Sequence, residues 1–153
     1  MTKPRLQRWL DSGALRRHRA SSQEISDLLA VVERDLGDAH ATVISLDRRF
    51  ATAYSAALTL ATVVLAASGY RVAAQRGHHA VTLQALRTLM GDSVRDLAVY
   101  LDSCRSLRTR GGYDRVGVVS ASDVTELLDE TTVFRQQVLG WLAETQPRLM
   151  ADR

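Results

Sequence analysis

Apolar residues recur every three or four positions along most of this chain, the spacing of one helix face, and almost nowhere alternate as a strand requires. Ile25, Leu28, Leu29, Val32 and Leu36 form such a stripe, with Glu33, Arg34 and Asp38 on the opposite, solvated side. Ser21 and Glu24 have the spacing of a capping box, so a helix is predicted from there to about residue 40, ended by His40. A shorter helix is predicted over about 4–14, stopping at "DSG". "SLD" at 45–47 opens a long central helix, with Phe50, Tyr54, Leu58 and Leu65 on one side and Ala57, Ala61 and Val64 beside them. It ends at "SGY", where Gly69 can take the left-handed conformation.

The loop "YRVAAQRGHH" leads to a fourth helix over about 79–90, marked by Val81, Leu83, Leu86, Leu89 and Met90 and ended by Gly91. Asp92 or Ser93 caps a fifth, which runs to about 110, where "RGG" is expected to break it. The last starts at "SASD", capped by Ser120 or Ser122, and carries Val124, Leu127, Leu128, Val133, Val138 and Leu142 before Pro147. A brief "VGVV" reads as extended chain. Helices of this length with short connections predict an all-α fold: an antiparallel up-and-down bundle of four main helices plus one or two short ones. Residues 1–153 are expected to form a single domain with short terminal tails.

Composition agrees with a packed globular domain, at 46% hydrophobic and 24% charged residues. The net charge of +3 permits an anionic partner without requiring one. Lys3 is the sole lysine, so arginine supplies nearly all the positive charge, and arginine favours planar, bidentate contacts with phosphate and carboxylate. Cys104 stands alone, which excludes an internal disulfide, and no Cys/His spacing of a zinc site occurs; no metal and no cofactor are expected. The opening "MTKPRLQRWLDSG" lacks the apolar core of a signal peptide, so a cytoplasmic location is expected. Residues 50–70 carry no charge and are just long enough to span a bilayer, but their Ala, Thr and Ser content favours a buried core helix and no membrane association.

The fifth helix carries the main anomaly. Its inward stripe runs Val94, Leu97, Leu101 and Cys104, and the next position at that angle is Arg108. Arg105 lies about 40° from Leu101 by the ideal twist, so two arginines flank one line. A charge there must reach solvent, pair with a carboxylate, or face a groove made by another subunit. The plainer reading is a basic helix end that complements the helix dipole, and Asp102 and Asp114 are placed to pair with the arginines.

The run "AYSAALTLATVVLAASGYR", then "GHHAVTLQALRTLMG", then "LDSCRSLRTRGGYD", resembles the small prokaryotic HEPN domains, and "ALRRHRASSQEISDLLAVVERDL" resembles the N-terminal part of one branch of them. The likeness covers most of residues 6–142. It implies a helical bundle that forms a homodimer, with an arginine-led motif lining a cleft between protomers. Many members are metal-independent endoribonucleases in toxin–antitoxin and phage-defence systems, often encoded beside a nucleotidyltransferase, which implies such a partner protein here. Arg108 matches the motif arginine, and Thr109 occupies its polar position. Tyr113 stands where the family has histidine, and Tyr113 with Asp114 matches the branch.

Tyrosine, with a pKa about 10, is a poor base near neutrality but donates hydrogen bonds and stacks on nucleobases. Arg108 and Arg105 would clamp a phosphate. The expected function is therefore binding of RNA or a nucleotide at an Arg108–Tyr113 cleft between protomers. If cleavage occurs, Arg108 and Tyr113 are the catalytic candidates, with Arg105, Thr109, Asp114 and His79 contacting substrate. His78 and His79 otherwise serve as a cap or a hydrogen-bonded imidazole, and His18 is expected to be exposed. The alternative is a non-catalytic interaction or dimerisation module. No Gly-rich phosphate loop, metalloprotease motif or nucleophile elbow is present.

Overall fold

A computed structural model describes residues 3–74, 77–113 and 118–150; the side chains of 108–113 lie outside that description. The fold is mostly helical, in the order α1 (Pro4–Ser12), β1 (Leu15–Arg17), α2 (Ser22–Ala39), α3 (Leu46–Ala67), β2 (Tyr70–Val72), α4 (His78–Met90), α5 (Arg95–Tyr113) and α6 (Ala121–Thr145). Short 3-10 turns, Gly91–Val94 and Pro147–Met150, precede α5 and follow α6.

Helix α3 forms the axis of the core and packs against α2, α6, α4 and α5. Its alanines allow this. Ala53, Ala56, Ala57 and Ala61 are fully buried, so neighbouring helices approach its backbone closely while Phe50, Tyr54 and Leu60 fill the space between them. It is the one helix among the described residues long and apolar enough to cross a membrane, and 67% of its most apolar window is buried inside the molecule, as in a core helix.

Caps define most boundaries. Ser21 accepts from the Glu24 N–H at 3.1 Å, and Ser45 accepts from the Arg48 N–H at 3.2 Å. At α6 the capping box is complete: Ser120 Oγ accepts from the Asp123 N–H, and the Asp123 carboxylate accepts from the Ser120 N–H. His40 ends α2, its ring Nδ1 2.7 Å from the Leu36 carbonyl. Helix α1 stops two residues earlier than its pattern suggested, because Gly13 turns left-handed at φ 84°. Lys3 ties that end to α4 by donating to the Thr88 carbonyl at 2.6 Å.

Three features depart from the sequence pattern. First, β1 and β2 pair antiparallel, with Leu15 opposite Val72, Arg16 opposite Arg71 and Arg17 opposite Tyr70. Each strand has only three residues, too few for alternation to be seen. Two flanking bonds lengthen the ladder: His18 donates to the Gly69 carbonyl and Ala73 to the Ala14 carbonyl, both at 2.9 Å. Second, α5 extends to Tyr113 instead of breaking near residue 110. Third, Val133 is 58% exposed, because the buried line of α6 runs Val124, Leu127, Thr131, Phe134, Val138 and Leu142, and Val133 lies about 100° from Phe134.

Candidate functional site

The inward stripe of α5 is present as far as it is described. Val94, Ala98, Leu101 and Cys104 are buried, and Leu97 packs partly buried against the core. The Arg108, Thr109 and Tyr113 side chains, and Asp114 altogether, lie outside the described residues. Of the candidate site, Arg105 and His79 are placed.

Arg105 stands at the edge of a groove of about 330 Å³ between α4 and α5. Ala80, Leu83 and Ala98 give it an apolar floor, and Arg87 enters from α4 as a second guanidinium. Asp102 accepts from Arg105 at 3.1 Å, one helical turn earlier, which is the pairing the sequence suggested. Val99, also lining the groove, is 59% exposed. An apolar floor with two guanidiniums at its edge suits a flat ring carrying an anionic group.

Acid–base chemistry close to this groove is weak. Burial, helped by a hydrogen bond to Cys104 and by the charges of Glu126 and Glu130, pushes the Tyr100 hydroxyl far above its usual range. Burial likewise pushes the Cys104 thiol up to about 11, against a hydrogen bond from Tyr100 that acts the other way. Both groups stay protonated at neutral pH, and the thiol is buried away from solvent. His79 is not brought to the groove. Its ring lies 6.0 Å from that of Tyr54 and edge-on to His78 at 4.2 Å, between α4 and α3.

The histidines divide by face, as adjacent helical positions must. His78 turns to a separate cleft of about 470 Å³ bounded by α2, α3, β2 and α4. His18 lines that cleft as well. Contrary to the expected exposure, its side chain is only 24% exposed, and Nε2 sits 2.7 and 2.9 Å from the two Glu24 carboxylate oxygens. Glu24 thus has two roles: its N–H meets the Ser21 cap, and its carboxylate engages His18. The pattern missed this pair because the β1–β2 ribbon, not the helical period, brings His18 beside α2.

Among the described residues no group of three or more His, Cys, Asp or Glu side chains could hold a metal ion. Comparison with known proteins found no matching family model, no similar curated protein and no similar solved structure.

Proposed function

We propose that this chain is a HEPN-like up-and-down helical-bundle protein that binds RNA or a nucleotide along the α4–α5 groove and its continuation toward Arg108 and Tyr113. The observation that carries the reading is the pair Arg87 and Arg105 flanking an apolar groove at the end of the α5 stripe, the stripe on which Arg108 is the next position. Guanidiniums at the edge of an apolar floor take phosphate, while the floor accepts a base face. The proposal takes the working form to be a homodimer with the groove at or beside its interface, as the resemblance implies.

In this reading the protein acts as a cytoplasmic component of a toxin–antitoxin or phage-defence system, with a nucleotidyltransferase-type partner. Binding is its main activity. Tyr113 replaces the family's histidine, and Tyr100 and Cys104, earlier on α5, are held protonated. The test is incubation of the purified protein with tRNA beside an Arg108→Ala variant. Retention or cleavage of RNA that is lost in the variant supports the proposal, and equal inertness of both contradicts it.

A second reading, a non-catalytic interaction module, is favoured by the Asp102–Arg105 ion pair, since a neutralised guanidinium serves an interface as well as a phosphate.

A further inference from the structure

Away from the α4–α5 groove, the β1–β2 ribbon presents an arrangement that is costly on its own. Arg16 and Arg71 stand directly opposite each other in the ladder, and like charges so placed repel. Both are exposed, and neither has an ion pair among the described residues. Arg17 lies on the other side of the ribbon, its guanidinium 5.9 Å from the centre of the Tyr70 ring. Arg16, Arg17 and Arg71 line a groove of about 500 Å³. A multiply charged anion held there would remove the repulsion.

This basic groove adjoins the 470 Å³ cleft, for the two share His18, Arg71 and Val72. The second half is built differently. Leu28, Leu58 and Leu65 make its walls apolar. Its hydroxyls have already spent their protons: Thr62 donates to the Leu58 carbonyl at 3.0 Å and Thr82 to the His78 carbonyl at 2.8 Å. To a ligand these two threonines offer lone pairs, as does the Glu24 carboxylate that fixes His18. The cleft is therefore polarised, with acceptors on apolar walls at one end and guanidiniums at the other. Its size falls in the range of small-molecule sites.

We propose that these two adjoining clefts together bind a mononucleotide, the amine-bearing base lying between Leu28, Leu58 and Thr82 and the phosphates lying on Arg16 and Arg71. An acyl chain would leave the acceptors unmatched, and a bare anion would leave the apolar half wet. His18, held by Glu24 and the Gly69 carbonyl, sits at the junction of the two halves.

The test is isothermal titration of the full chain with ATP, AMP and inorganic pyrophosphate. ATP binds in an Arg16-dependent way, more tightly than pyrophosphate. Arg16→Glu, which replaces repulsion toward Arg71 by attraction, keeps or raises the melting temperature yet weakens ATP about tenfold. Thr62→Trp, at an exposed position on the cleft wall, weakens ATP and AMP but leaves pyrophosphate unchanged. Ala74→Glu, at an exposed position on the basic groove and away from the α4–α5 groove, weakens ATP and pyrophosphate alike, which places the phosphates in this groove. The proposal is overturned if pyrophosphate binds as tightly as ATP, or if neither Arg16→Glu nor Thr62→Trp alters ATP binding. It is also overturned if phosphatidylglycerol vesicles, and not nucleotides, are bound in an Arg16-dependent way.

Discussion

Asp102 accepts from Arg105 at 3.1 Å, so one of the two guanidiniums described on the α4–α5 groove carries its own carboxylate. In the proposed function, RNA phosphate competes with that carboxylate. Asp102→Asn is expected to tighten RNA binding several-fold, and to change stability by less than about 1 kcal/mol because the pair is solvent-exposed. Fluorescence anisotropy with labelled RNA and a urea titration read the two effects separately. Weaker binding in Asp102→Asn would show that the carboxylate positions Arg105 instead of competing for it.

The alanines of α3 set the helix spacing, so enlarging one should cost more than it gains. Ala57→Leu adds three carbons where none of the side chain is exposed. A destabilisation of about 1–3 kcal/mol is expected from overpacking. Denaturant unfolding measures it, and an unchanged midpoint would mean that α3 is less closely approached than its burial indicates.

Thr131 is fully buried on α6, and its hydroxyl has no hydrogen-bond partner among the described residues. Valine has nearly the same shape without the polar atom. Thr131→Val should stabilise the fold by about 1 kcal/mol, the desolvation cost of the unmatched hydroxyl. A higher thermal midpoint checks this. A lower one would reveal a partner for the hydroxyl.

Alkaline pH should expose the buried thiol. Burial raises Cys104 from its ordinary 9.0 to about 11. Below pH 9 the thiol is protonated in both folded and unfolded chains, and its contribution to stability is complete. As pH rises toward 11 the unfolded chain ionises first, so this contribution is lost. Urea midpoints should therefore fall over that window, and fall less in Cys104→Ala. The same burial predicts slow alkylation of the native thiol at pH 8 and fast alkylation in urea.

The helices were legible because their signals are local. Ser21, Ser45 and Ser120 cap the helices expected of them; Ile25, Leu29, Val32 and Leu36 of α2 and Leu83 and Leu86 of α4 are buried as their spacing indicated, while Leu28, Val81, Leu89 and Met90 are half-buried. Arg105 and Asp102 pair as their three-residue separation suggested. What escaped the pattern depends on contacts far apart in sequence. Arg16 meets Arg71 only because α2 and α3 fold back on one another between them, and His18 reaches Glu24 only from the ribbon. Val133, one of the apolar residues that mark α6, is exposed for another reason: Thr131, a polar residue, takes a buried position on the inward line.

The proposed phosphate recognition by the arginines of α4 and α5 makes a direct thermodynamic demand, because each contact would release counterions. The decisive measurement is the affinity of the full chain for a labelled single-stranded RNA across a salt series, for the native protein and for Arg105→Ala combined with Arg108→Ala. Binding by the native protein should weaken steeply with salt, and the double variant should bind more weakly with a slope shallower by about one to two. Equal affinities and slopes for the two proteins would contradict RNA binding along this groove.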